Sequence, residues 1–99
     1  MAKIQRIILD VAMLDGTEHH DVVVVVADRM KLSEVARRHK WGGLDTDPDR
    51  GMTFLAYAAL SRRGLFSGTF DDFVNAAEVV APQEDAVDVD PTVTAIPAV

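Results

Sequence analysis

At 99 residues, with 48% hydrophobic and 26% charged side chains, the chain has the size of one domain with a thin core. The absence of cysteine excludes disulfides, thiol nucleophiles and thiolate metal sites. The net charge of -6 is unevenly placed, since all 10 Lys and Arg lie in residues 1–63 and the rest of the chain has only acidic charges. An acidic half argues against nucleic acid as a main partner and suits solubility or a basic protein partner.

Arg6 and Asp10 interrupt residues 4–13, so no signal-peptide pattern forms there. The longest apolar run, 22–27, is far short of the roughly 20 residues a membrane helix needs. A soluble, cytoplasmic chain is expected. Residues 3–27 read as a β-hairpin, because Asp15-Gly16 sits between two β-rich runs and both turn positions favour positive φ. A two-residue turn there pairs Leu9 with Val22 and Ile7 with Val24. Ile7, Leu9, Val11, Val22, Val24 and Val26 then share the core face. The other face is mixed, with Arg6, Asp10, Ala12, His19 and Asp21 beside Ile8 and Val23.

Residues 28–40 predict a first helix with Asp28 as N-cap and Leu32, Val35, Ala36 and His39 at helical spacing. It ends near Trp41-Gly42-Gly43. Asp47-Pro48 starts a second helix over 48–63 that buries Met52, Leu55, Ala56, Ala59 and Leu60. Arg62 and Arg63 favour the negative end of its dipole, and Gly64 supplies a left-handed cap. Thr69 caps a third helix with the stripe Phe70, Phe73, Val74 and Ala77, which Pro82 ends. The fold class expected is α+β, a hairpin followed by three helices within a domain at 1–81. Residues 82–99, with Pro91 and Pro97 and no aromatic or basic side chain, predict a flexible acidic tail.

Little in this pattern carries catalysis or metal chemistry. His19-His20-Asp21, even joined by His39, alternate across a strand and do not converge as ligands. Asp45, Asp47 and Asp49 alternate like a calcium loop, but Arg50 and Ala56 stand where that loop needs glycine and glutamate. Asp10 and Asp21 are paired carboxylates without a pocket or a nucleophile. No Ser-His-Asp spacing suggests a triad, and Gly42-Gly43 does not make a phosphate loop. No enzymatic activity, catalytic residue, cofactor or metal is expected. The basic runs at 37–40 and 62–63 read as solvated helix faces. Trp41 and Tyr57 are either core residues or surface anchors. The five valines at 22–26 invite strand pairing if they lie at a sheet edge.

The Asp15-Gly16 hairpin leads into a helix that ends in Lys40-Trp41. After it come Phe54-Leu55-Ala56-Tyr57-Ala58-Ala59-Leu60-x-Arg62-x-Gly64 and Thr69-Phe70-x-x-Phe73. With the acidic Asp88-x-Asp90-Pro91-Thr92, this resembles the small tail assembly chaperones of long-tailed, siphovirus-like bacteriophages, particularly those of actinobacterial hosts. The resemblance spans essentially the whole chain, through soft aromatic, alanine and arginine spacing. It implies a protein of the host cytoplasm, absent from the mature virion, that keeps the tape measure protein soluble while tail tube subunits assemble. It further implies a short product that precedes a programmed frameshift, with a longer form, the tail tube protein and further copies of itself as additional partners. Neither membrane nor nucleic acid is an expected partner. The contacts expected for the client are Trp41, Phe54, Tyr57, Arg62 and Phe66. A small structural phage protein, such as a head–tail connector or tail completion protein retained in the particle, is the alternative.

Overall fold

The structure, a computed structural model, describes residues 6–83. In chain order they form β1 (Ile7–Met13), β2 (Glu18–Val24), α1 (Val26–His39), α2 (Pro48–Arg62), α3 (Phe70–Ala76) and β3 (Ala77–Pro82). The three strands make an antiparallel sheet in the order β2-β1-β3, so the architecture is a mixed α+β one. Most of the expected acidic tail, from residue 84 onward, lies outside the described residues.

The hairpin has the expected pairs, Leu9 with Val22 and Ile7 with Val24. They arise by a different route. Gly16 N–H donates to Met13 O at 3.0 Å and Met13 N–H to Thr17 O at 2.8 Å, which closes a three-residue loop rather than a two-residue one. Gly16, at φ 96, takes the positive-φ position that this loop demands. The loop shifts the register by one, placing Val11 opposite His19, and a bulge between Val11 and Leu9, with Asp21 at φ 59, shifts it back. Two one-residue departures cancel. Leu9, Val11, Val22 and Val24 are buried, whereas Val26 starts α1 and is 71% exposed, not on the core face.

The expected third helix is cut short. Thr69 Oγ1 accepts from Asp72 N–H at 3.1 Å and Asp72 Oδ2 accepts from Thr69 N–H at 2.9 Å, a reciprocal cap that starts α3. Ala77 is already extended, at φ -90 and ψ 142, and residues 77–82 become a third strand beside β1. The cause is non-local. β1 has an unpaired side that needs partners, and the β-branched Val79 and Val80 fit a strand better than a helix. Val80 lies opposite Val11 and packs against the core, while Val79 faces out. Pro82 lies opposite Leu9, whose hydrogen-bonding groups face β2, so its missing N–H costs no ladder bond.

α2 is the central element. Leu55, Ala56, Ala59 and Leu60 pack on Leu9, Val11, Met13, Val22 and Val24 of the sheet, with Phe73 of α3 closing the core. Gly64, at φ 75, ends α2 as expected, and Leu65 N–H reaches back to Leu60 O at 2.8 Å. Asp47 holds the expected N-cap position, but its carboxylate pairs with Arg50 at 3.3 Å instead of capping the backbone. α1 lies outside α2. Its N-cap is Val25, not Asp28, and Asp28 is the only buried residue of the helix. Leu32, Val35 and Ala36 are half-buried against the rest of the molecule, and Met30 is 66% exposed.

Candidate functional site: an aromatic wall between two grooves

All six aromatic side chains of the chain, one Trp, one Tyr and four Phe, form one connected network. Its inner end is Phe73, fully buried, with Phe66 edge-on at 5.3 Å and Tyr57 at 6.0 Å between centroids. Its middle is Phe54, Tyr57 and Phe70, mutually 5.2 to 5.7 Å apart. Its outer end is Trp41, 6.0 Å from Phe54 and 5.6 Å from Phe70. Each tilted or edge-on pair adds about 0.5–1.5 kcal/mol beyond burial alone. The wall is therefore stiff.

Local structure explains why Trp41 sits there. Lys40 adopts the left-handed conformation at φ 60, and Trp41 N–H returns to Ala36 O at 2.9 Å, folding the end of α1 onto α2. A side chain at position 42 would collide with Thr46 Oγ1, so Gly42 permits the tight loop that follows. The Trp41 ring stacks on His39 at 5.6 Å and carries the Arg50 guanidinium 5.2 Å from its centroid. Trp41, Tyr57, Phe66 and Phe70 remain half-exposed.

Two open grooves flank the wall. One, of about 430 Å³, runs between α1 and α2, with Val35, Phe54, Tyr57 and Phe70 as its apolar lining and Lys31 and Glu34 at its rim. Ser61 Oγ, in the same lining, is buried without a hydrogen-bond partner. The other, of about 560 Å³, lies between α1 and the 41–45 loop and is lined by Leu32, Trp41 and Leu44 with Arg29 and Arg37. An apolar floor edged by charges of both signs suits a helix or extended segment that presents apolar side chains.

Four of the five residues expected to make contacts meet here: Trp41, Phe54, Tyr57 and Phe66. Phe54 is only 5% exposed and so supports the surface from beneath. Tyr57 is half-buried and donates its hydroxyl to Gly68 O at 3.0 Å. Arg62 does not join them. Its Nε donates to Asp28 Oδ1 and its Nη2 to Asp28 Oδ2 and to Val23 O, all at 3.1 Å. Sequence reasoning placed Phe70 only on a helical stripe. Its position three residues before Phe73, just after a capping Thr69, was the signal that it would meet the other rings.

A second polar cluster lies on the outer face of the sheet. Gln83 Nε2 donates to Asp10 Oδ1 at 2.8 Å and to Asp21 Oδ1 at 2.7 Å, tying the end of β3 to the hairpin. His20 lies between Glu18, at 2.9 Å, and Asp10, at 3.3 Å. The Gln83 amide, then the Asp21 N–H, hold the Asp10 carboxyl below its ordinary 3.8. Glu18, then Asp10, hold the His20 imidazole above its ordinary 6.5. Asp10 therefore stabilises the fold above its unfolded value, and that contribution is lost as pH falls through the lower folded value. His20 stabilises it below 6.5, and that contribution is lost as pH rises through the higher folded value. The difference in Tm between the native chain and His20→Asn is expected to be larger near about pH 5.5 than near about pH 8.5. A constant difference across thermal melts at the two pH values would contradict this linkage.

Among the described residues no three His, Asp or Glu side chains gather as metal ligands, and no helix is long and apolar enough to cross a membrane. No protein-family model, curated protein or solved structure matches the chain.

Proposed function

We propose that the chain is a non-catalytic binding protein that acts as a tail assembly chaperone of long-tailed phages, holding the tape measure protein soluble in the host cytoplasm. The observation that carries this reading is the half-exposed aromatic wall between two apolar-floored grooves. A chaperone must cover apolar surface reversibly, which calls for a preformed apolar site on a charged body. The rigid rings supply contact area with little side-chain entropy to lose on binding. The acidic charge of residues 64–99 favours a client with basic segments. The helical, apolar-striped character expected of a tape measure protein fits grooves that accept side chains at helical spacing.

Co-expression with the tape measure protein, followed by affinity purification and a solubility comparison, tests the reading. A stoichiometric complex and more soluble client are expected. Trp41→Ala is expected to weaken the complex about 10-fold or more, as truncating an aromatic anchor does, while the far-UV circular dichroism stays native. A client that stays insoluble and does not co-purify would remove the chaperone reading. Unchanged affinity in Trp41→Ala would move the contact surface away from the wall.

A further inference from the structure

Among the described residues, in the sheet order β2-β1-β3, β2 has a strand neighbour on one side only. The groups on its outer side can be identified. Gln83 N–H donates to Ile8 O at 2.8 Å, so the peptide groups of Ile8 face β3. Ile8 pairs with Val23, and in an antiparallel ladder such a pair leaves the N–H and C=O of Val23 pointing away from β1. Val25 is extended, at φ -111 and ψ 174, so its peptide groups point the same way.

Two of these outward groups are already satisfied. Val23 O accepts from Arg62 Nη2 at 3.1 Å, and Val25 N–H donates to Asp28 Oδ2 at 3.0 Å. Arg62 and Asp28 are themselves joined by two bonds of 3.1 Å. One residue of a parallel strand would make the same pair of contacts, giving its N–H to one carbonyl and accepting from the N–H two residues on. The ion pair stands where that residue would be. Asp28 comes from the first turn of α1 and is fully buried, and Arg62 comes from the last turn of α2, so two helices hold the mimic against the edge.

We propose that the Asp28–Arg62 pair guards the outer edge of β2, and that the edge it closes is a pairing surface for β2 of a second copy of this chain. A second copy fits because the valines at 22–26 carry no charge, so an antiparallel approach about Val23 is self-complementary and closes with two-fold symmetry. Val23 of each copy would exchange both N–H and C=O bonds, with the two Asp21 side chains at opposite ends of the contact. At the other end of the run, Asp21 at φ 59 bends the strand, so only the 22–25 stretch needs a guard.

The chain has no cysteine, so Val23→Cys places a single thiol on the edge. Directly opposed residues lie about 5.5 Å apart between Cα atoms, within reach of a disulfide. Val23→Cys alone is compared with Val23→Cys combined with Arg62→Gln, after oxidation at equal concentration and non-reducing electrophoresis. The combined variant is expected to give at least about five-fold more linked dimer. Ser67→Cys with Arg62→Gln, carrying an exposed thiol away from the sheet, is expected to show no such rise. Arg62→Lys keeps a cation beside Asp28 but cannot serve both carboxylate oxygens and the carbonyl, so with Val23→Cys it should also raise cross-linking. It replaces Arg62→Gln if that variant does not fold. Equal cross-linking with and without the Arg62 substitution, or an equal rise at position 67, would overturn the proposal.

Discussion

Phe73→Ala is expected to destabilise the protein by about 3–5 kcal/mol, the range for truncating a fully buried aromatic side chain. That is a large share of the total stability of a domain this small, and corresponds to a fall in Tm of more than about 10 °C. The size of the effect follows from position. Phe73 is fully buried, closes the core formed by α2 and the sheet, and supports Tyr57 and Phe66 from beneath. It also anchors α3, whose seven residues are too few to hold helical structure alone and which delivers the chain into β3. Phe70→Ala, at the half-exposed middle of the same wall, is expected to cost about 1–2 kcal/mol, because the site is open on one side and leaves little cavity. Urea denaturation of both variants measures the contrast. Equal midpoints would mean that Phe73 is not the inner anchor of the wall.

The hairpin was legible because its signals are local: a turn dipeptide, two β-rich runs and an alternation that fixes which side faces the core. Even there, a three-residue loop and a compensating bulge reached the expected pairs by a path that turn chemistry alone did not reveal. The caps at Thr69 and Gly64 were equally local. β3 was not legible. The stripe Phe70, Phe73, Val74 and Ala77 runs on at helical spacing into residues 77–82, and six residues of Ala, Glu, Val and Pro do not by themselves separate a helix end from an edge strand. The unpaired side of β1, far away in the sequence, decided the matter. The Asp28–Arg62 pair is illegible for the same reason. Asp28 reads as an N-cap and Arg62 as a helix-end charge and a client contact, and although Arg62 does stand in the last turn of α2, their partnership spans 34 positions. The aromatic wall lay between these cases, because the sequence showed which rings exist, and the packing of α3 and of the end of α1 against α2 determined which of them meet.

That long-range pair gives the second large effect. Arg62→Ala is expected to destabilise the protein by about 3–5 kcal/mol, since it leaves the Asp28 carboxylate buried without its cation. Asp28→Asn is expected to cost less, about 1–2 kcal/mol, because the Arg62 side chain is 34% exposed and water replaces the lost charge partner. The asymmetry reflects depth in the fold rather than the strength of the bond, and thermal or urea denaturation of the two single variants reads it directly. The double variant Asp28→Leu with Arg62→Met separates stability from guarding. Replacing a buried ion pair by apolar side chains of similar volume is often nearly neutral, but here it also removes the partners of Val23 C=O and Val25 N–H, at about 1–3 kcal/mol for each group left unpaired. Its β2 edge would then carry Val23 C=O and Val25 N–H without the partners that the ion pair supplies. A stable double variant that self-associates would show that the ion pair is retained for what it keeps away from the sheet. A stable double variant that stays as dispersed as the native chain would leave the pair a purely internal clasp.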